Sequence, residues 1–144
     1  MVSFISQLSL HSYQTEAHTV IIVGHSGCGG ATACLSAVQS ESYSTYGSAQ
    51  TLPQYPASHA LNRWLAPLTE LIESLDVASK PVASTLPIVV DANVKRQVEN
   101  LSKTAAIKRA RDEGKEVWIH GWVYDLATGN LRDLEVSRSA DAAD

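Results

Sequence analysis

Cysteine is scarce in this sequence, and Cys28 and Cys34 are the only two among 144 residues. Small secreted domains that depend on disulfides carry more cysteines at wider spacing, so a disulfide framework is excluded. We therefore expect a reducing compartment, the cytoplasm, or an organelle if a targeting segment precedes residue 1. The first ten residues have no basic region before their short apolar run, which is a poor match to a secretory signal.

Long apolar runs and extended clusters of positive charge are also absent. No stretch approaches the roughly 20 apolar residues that a membrane-spanning helix needs. The formal net charge is −4, which argues against a general nucleic-acid binder because such proteins cluster Lys and Arg. The basic residues within 108–111 are followed by Asp112 and Glu113, as is typical of a solvated helix end. Charged residues make up only 18%, which hints at a surface covered by a partner.

One segment has the order strand, glycine-rich turn, helix. The β-branched run from Thr19 to Val23 predicts a strand buried on both faces, as in a parallel sheet. Gly24 is expected to end this strand, and residues 31–38 have the composition of a helix. This order is where α/β folds place their chemistry.

The middle of the chain predicts a long loop over residues 39–57 and then an amphipathic helix. Pro67 is expected to kink or restart that helix near Ala66, and residues 77–87 are expected to form a linker. The apolar stripe of the helix consists of Leu61, Leu65, Leu68, Ile72 and Leu75.

The last third predicts a second helix and a hairpin. Asp91 or Asn93 is expected to cap a helix that runs to about Glu113. Residues 116–124 and 131–136 are expected to pair as strands across the Thr128-Gly129 turn, and residues 137–144 to be a disordered tail. The buried face of the helix is expected to comprise Val94, Val98, Leu101 and Ala105.

The glycine-rich turn carries His25 and Cys28, three residues apart. An imidazole nitrogen and a thiolate on one flexible turn can point at a shared ion, and zinc favours this pair of donors. Gly29 and Gly30 are expected to shape the floor of a pocket beside the metal, because glycines leave room for close approach.

Three other interpretations of this turn compete with zinc. A hydrolase nucleophile elbow would use Ser26, but Cys28 stands where the second glycine of that motif belongs. A phosphate-binding loop has the spacing of Gly24 and Gly29, but Gly30 and Ala31 replace its Lys and Ser or Thr. The third interpretation is a structural turn with an inert cysteine, which an isolated His-x-x-Cys would favour.

The segment from Val20 to Gly30 resembles the strand and zinc loop of β-class carbonic anhydrases. Similarity continues at residues 62–65 and 93–101, which resemble helices of that family, and at residues 120–131, which resemble its final hairpin. The resemblance implies an α/β fold with a mainly parallel sheet flanked by helices. It also implies a Zn²⁺ cofactor with His25 and Cys28 as two of three protein ligands, and reversible hydration of carbon dioxide to bicarbonate.

The third ligand of that family lies in a Cys-x-Asp-x-Arg motif, which occurs nowhere in this sequence. The resemblance therefore implies a domain over residues 1–136 that lacks the family's first strand and N-terminal arm. No residue takes the role of the missing Asp-Arg pair. Cys34 is expected to pack as a small buried side chain rather than to bind metal, and His11, His18, His59 and His120 to be surface or packing residues.

Two functions follow from this comparison. The chain is either part of a carbonic anhydrase, weakly active or inactive alone, or a non-catalytic truncated paralogue that pairs with a full-length subunit. In both cases the expected state is a homo- or hetero-oligomer with β-carbonic anhydrase subunits. Neither membrane nor nucleic acid is an expected partner.

Overall fold

A computed structural model of the protein describes residues 19–77 and 79–139. Within them, no helix is both long and apolar enough to cross a membrane. A short 3₁₀ helix spans Gly47–Gln50. In chain order the strands and α-helices are β1 (Thr19–His25), α1 (Gly29–Val38), α2 (Tyr43–Tyr46), α3 (Ala60–Ser74), α4 (Val82–Ser102), α5 (Ala105–Asp112), β2 (Trp118–Tyr124) and β3 (Leu131–Asp133).

The three strands form one small mixed sheet in the order β1-β2-β3. β1 and β2 are parallel, with His25 opposite Tyr124 at their carboxyl ends. β2 and β3 are antiparallel, which confirms the predicted hairpin. The predicted α/β fold is therefore confirmed, with a sheet that is mixed rather than mainly parallel over the described residues.

The prediction that β1 is buried on both faces is wrong. Ile21 is 39% exposed and Val23 is 37% exposed. Side chains alternate between the two faces of a strand, and only the face that carries Ile22 and Gly24 meets helix α4. The other face of β1 has little cover, so β-branched composition here reflects strand propensity rather than complete burial.

Helix α4 covers the inner face of the sheet at unusually short range. A Cβ atom added to Gly24 would lie 2.6 Å from Cγ2 of Val94, and one added to Gly121 would lie 3.0 Å from Cγ2 of Val98. Unbonded carbon atoms normally stay about 3.5–4.0 Å apart. The expectation that Gly24 ends the strand is therefore wrong. Gly24 lies within β1, and its lack of a side chain lets α4 approach.

The apolar patterns predict only part of the packing of α3, α4 and α5. Val94, Val98 and Leu101 are buried as expected, but Ala105 is exposed and Ile107 takes its place in the core. In α3, Leu65 and Ile72 are buried, and Leu68 and Leu75 pack against the same core from partly buried positions. Leu61 is exposed, which corrects its place in the predicted stripe.

Both predicted boundaries of α4 are also wrong. α4 begins at Val82 and contains Pro87, so residues 77–87 are not a linker throughout. It ends at Ser102 because Thr104 caps a separate helix, accepting a hydrogen bond from the Ile107 amide at 3.4 Å. α3 runs through Pro67 without a restart. Burial of side chains on both sides of each proline offsets the backbone hydrogen bond that the proline removes.

The segment 39–57 is not an irregular loop throughout, because it contains α2 and the 3₁₀ helix. Its later part is held by the fully buried Asn62 of α3. Oδ1 of Asn62 accepts from the Leu52 amide at 2.8 Å, and Nδ2 donates to the carbonyl oxygens of Leu52, Tyr55 and Pro56 at 3.1–3.2 Å. Because Nδ2 carries two hydrogens, two of these oxygens share one of them, and a single side chain contacts four backbone groups of the segment.

Replacing Asn62 with alanine is expected to destabilise the fold by about 1–3 kcal/mol, because the part-buried Leu52 amide loses its acceptor and three carbonyl oxygens each lose one donor. Asn62→Asp should cost more, since a carboxylate cannot donate to the three carbonyl oxygens. Urea unfolding of the purified chain measures both. Asn100→Ala is the control, because Asn100 is exposed and makes only a 3.5 Å contact with Gln97; equal losses at both positions would contradict the assignment.

The end of the described chain returns to the sheet. Arg138 pairs with Ile119 through two backbone hydrogen bonds of 2.9 Å, and the Ser137 hydroxyl lies 2.8 Å from Nδ1 of His120. Residues 140–144 of the predicted disordered tail lie outside the described residues. So do residues 3–17, for which the sequence predicts a short helix. The predicted boundary after residue 136 stays a prediction.

Candidate metal site

His25 is the last residue of β1 and is half-buried. Its Nδ1 atom lies 3.0 Å from the carbonyl oxygen of Ser26. A carbonyl oxygen only accepts hydrogen bonds, so this contact requires the proton on Nδ1. In that tautomer the Nε2 lone pair is available to a ligand such as a metal ion.

Cys28 stands at the N-cap of α1, directly after the turn. Its backbone oxygen accepts hydrogen bonds from the Thr32 amide at 2.9 Å and from the Thr32 hydroxyl at 3.0 Å. Its half-buried side chain makes no capping hydrogen bond. Gly27 has φ of 65°, a left-handed conformation that favours glycine. His25 and Cys28 therefore flank one tight turn between β1 and α1.

Gly29 and Gly30 are the first two residues of α1 and lie directly after this turn. A Cβ atom on Gly29 would meet no atom within 4 Å, and one on Gly30 would lie 3.7 Å from Leu65 Cδ2. The space beside Gly29 is thus open, and an ordinary packing contact borders Gly30. The interpretation of both residues as the floor of a substrate pocket stays a prediction.

Sequence reasoning missed the residues that fix this turn to the rest of the sheet. The Ser26 hydroxyl donates to Oδ1 of Asp125 at 3.2 Å and accepts from the Leu126 amide at 2.9 Å. The Ala127 amide, followed by the Thr128 hydroxyl, holds the pKa of Asp125 below its ordinary value. The only signal in the sequence was the Asp125-x-x-Thr128-Gly129 turn pattern, which gives no hint of its distant partner.

Cys34 is confirmed as a packing residue. It is fully buried in the core, and its Sγ atom lies 3.8 Å from the carbonyl oxygen of Leu65. Burial raises the pKa of the Cys34 thiol, which favours the protonated form, whereas metals bind the thiolate. That Cys34 does not bind metal stays a prediction.

The other described histidines have structural surroundings. Nδ1 of His59 accepts from the Leu61 amide at 3.3 Å at the start of α3, and its ring stacks on Tyr55. His120 lies between Trp118 and Trp122 on the sheet. His11 and His18 lie outside the described residues. Among residues 19–77 and 79–139, no group of three or more His, Cys, Asp or Glu side chains could hold a metal ion.

The two donor groups at the turn are nevertheless of the kinds that zinc binds. One imidazole nitrogen and one sulfur match the ligands that zinc prefers, and catalytic zinc sites have three protein ligands. His25 and Cys28 would account for two of the three positions.

A cavity of about 280 Å³ lies between α1 and the segment that follows it. It is lined by neither His25 nor Cys28. Several of its hydroxyl groups are engaged within the protein, as Tyr43 donates to Glu73 at 3.1 Å and Thr51 pairs with Thr69 at 2.8 Å. We therefore assign no chemistry to this cavity.

Comparison of the sequence with known proteins gives one consistent result. A family model described as carbonic anhydrase matches residues 2–131. The chain is 30% identical over 118 residues to Carbonic anhydrase 1 of Escherichia coli O157:H7, covering 78% of this chain and 44% of that protein. It is 24% identical over 147 residues to a carbonic anhydrase of Emericella nidulans, covering 97% of this chain and 56% of that protein. The chain thus spans about half the length of these relatives.

Comparison of the structure gives matching folds. The β-carbonic anhydrase of Coccomyxa, solved in complex with acetazolamide, superposes with a TM-score of 0.70 at 19% identity, covering 92% of this chain and 55% of that chain. The β-carbonic anhydrase CafA of Aspergillus fumigatus gives a TM-score of 0.70 at 23% identity, covering 94% and 57%. One of two tetrameric β-carbonic anhydrases of Sordaria macrospora gives 0.66 at 20% identity, covering 96% and 62%.

Proposed function

The chain belongs to the β-carbonic anhydrase family, and from this premise we propose that it contributes two zinc ligands to a centre for reversible hydration of carbon dioxide to bicarbonate. The observation that carries the proposal is the turn after β1. An imidazole with a free Nε2 and a thiol flank that turn at the carboxyl end of a parallel strand, where open α/β sheets bind their ligands.

Each residue of the turn has a defined part in this proposal. His25 would bind zinc through Nε2 because Ser26 occupies Nδ1, and Cys28 would bind through sulfur. When bound, the zinc ion supplies a water activated at neutral pH for attack on carbon dioxide. The open space at Gly29 leaves room for carbon dioxide or bicarbonate beside the two ligands.

We assign the third ligand to sequence outside residues 1–144, since no Cys-x-Asp-x-Arg occurs within them. Among the described strands, β1 pairs on one side only, with β2. Parallel strands end at the same edge of a sheet, so a strand added parallel to β1 would bring the residues after it next to His25. Strand addition to an open sheet edge is a common mode of protein association.

A second candidate function is that of a non-catalytic chain that pairs with a full-length subunit. The exposed side chains of Ile21 and Val23 on β1 favour it, because an open strand edge with apolar side chains is unfavourable in isolation. Oligomer formation is consistent with both functions, since relatives of this fold include tetrameric enzymes.

We expect the purified chain alone to hold little zinc and to show little carbon dioxide hydration, because two ligands do not complete the site. Mixing it with a full-length subunit whose own zinc loop is disabled should restore activity and about one zinc ion per added chain. Elemental analysis and stopped-flow hydration assays of the separated complex measure both quantities. A stable complex that gains neither zinc nor activity would favour the non-catalytic function. Failure to form a complex, together with the absence of bound zinc, would contradict both functions.

A further inference from the structure

Ser26 joins two parts of the chain that are about a hundred residues apart. Its amide donates to the Tyr124 carbonyl oxygen at 2.9 Å, its hydroxyl donates to Asp125 Oδ1 at 3.2 Å, and the same hydroxyl accepts from the Leu126 amide at 2.9 Å. Its carbonyl oxygen lies 3.0 Å from Nδ1 of His25. One residue is thus bonded both to the hairpin and to the candidate ligand.

The carboxylate that receives the Ser26 hydroxyl is itself held in place. Oδ1 of Asp125 also accepts from the Ala127 amide at 3.0 Å, and Oδ2 accepts from the Thr128 hydroxyl at 2.8 Å. The backbone of Asp125 closes the turn through bonds of 2.8 Å with Gly129 and Asn130. Because the backbone bonds already close the hairpin, the side-chain bonds serve to place the carboxylate and, through it, Ser26.

We propose that Asp125 and Ser26 are positioning residues that fix the ring orientation and tautomer of His25. A ligating histidine is normally oriented by a hydrogen bond from its second ring nitrogen, and the partners of that bond tune the metal. Here the orienting acceptor is a backbone oxygen, which holds its direction only while the turn is anchored. The β2–β3 turn provides that anchor from Thr128 through Asp125 and Ser26.

The role of Asp125 and Ser26 in a metal site rests on the proposed function, whereas their effect on the His25 tautomer does not. The first measurement therefore uses the metal-free chain of residues 1–144. At a pH where imidazole is neutral, ¹⁵N NMR should show the His25 proton on Nδ1. Ser26→Ala and Asp125→Ala should move the population toward the Nε2–H form, which is the preferred tautomer of a free imidazole. Asp125→Asn should retain Nδ1–H, because its side-chain oxygen can still accept from Ser26 and Ala127.

The second measurement is Co²⁺ titration of the same variants, each in complex with the full-length subunit whose own zinc loop is disabled, where the site is complete. We expect Ser26→Ala and Asp125→Ala to weaken binding by about 10–100-fold, as is usual for outer partners of metal ligands, and Asp125→Asn to restore most of it. Asp133→Ala is the matched control: Asp133 lies in the same hairpin and accepts from the Glu135 amide at 2.8 Å, and no hydrogen bond between its side chain and Ser26 is present among the described residues. Thermal unfolding of each variant shows whether it is folded.

Unchanged tautomer populations in folded Ser26→Ala and Asp125→Ala would overturn the proposal. An equal shift in Asp133→Ala would also overturn it, because the effect would then be a general loosening of the hairpin. A tautomer shift in the variants together with no Co²⁺ binding by the wild-type complex would support the positioning role and contradict the proposed zinc function. If Asp125→Ala does not fold, Ser26→Ala decides, since it removes a single hydroxyl.

Discussion

Replacing Cys28 with serine is expected to abolish metal binding while the chain stays folded. A serine hydroxyl remains protonated at neutral pH, whereas metal binding at this position requires the thiolate. Removal of a residue that binds the metal directly should lower Co²⁺ affinity by more than roughly 100-fold, which is the upper end of the loss seen when a residue that only orients a ligand is replaced. The thiolate-to-cobalt absorption band should disappear as well. Both are measured in the complex of this chain with the full-length subunit, where the site is complete.

The same substitution should not weaken the fold, which separates loss of the site from loss of structure. Cys28 has extended backbone angles at the N-cap of α1 but makes no capping hydrogen bond. Serine is among the preferred N-cap residues because its oxygen accepts from an amide of the first turn. We therefore expect the metal-free Cys28→Ser chain to be at least as stable as the wild type in urea unfolding.

Cys34→Ala is the matched control for this prediction. It removes the other thiol, which is buried in the core beside Leu65, so it should reduce stability and leave the cobalt spectrum unchanged. A Cys28→Ser complex that keeps the full intensity of the cobalt band, or a Cys34→Ala complex that loses it, would show that Cys28 is not a metal-binding thiol.

The sequence predicted those parts of the fold that depend on local pattern. The strand β1, the helix α1 and the hairpin around Thr128-Gly129 formed at the predicted places in the chain, with ends that differ by two or three residues. In each, the periodicity and the turn residues agree with the tertiary environment. The His25–Cys28 turn was found for the same reason, since its residues are adjacent in sequence.

The features that the sequence did not predict depend on distant contacts. Pro87 suggested a linker, but burial of Thr85, Val89 and Val90 holds the first turns of α4 in place. The exposure of Ile21 follows from which face of β1 meets helix α4, and composition does not encode that. The link from Ser26 to Asp125 joins loops 99 residues apart, and no spacing rule connects them.

Gly24→Ala is expected to destabilise the chain by about 1–3 kcal/mol, the usual cost of inserting a methyl group into a filled core. The new Cβ atom would meet Val94 Cγ2 at 2.6 Å and Val90 Cγ1 at 3.1 Å. Both valines are buried in α4, and β-branched side chains on a helix have one strongly preferred rotamer. The helix must therefore shift away from β1, and urea unfolding measures the loss.

Two further variants test the cause of that loss. Gly29→Ala adds the same methyl group where no atom lies within 4 Å, so it should stabilise the helix by about 0.4–1 kcal/mol. Val94→Ala removes the methyl group that Gly24→Ala would strike. The double variant should therefore be less destabilised than the sum of its two single variants, with a coupling of about 0.5–3 kcal/mol typical of residues in contact. Strict additivity would mean that close approach of α4 is not the reason for glycine at position 24.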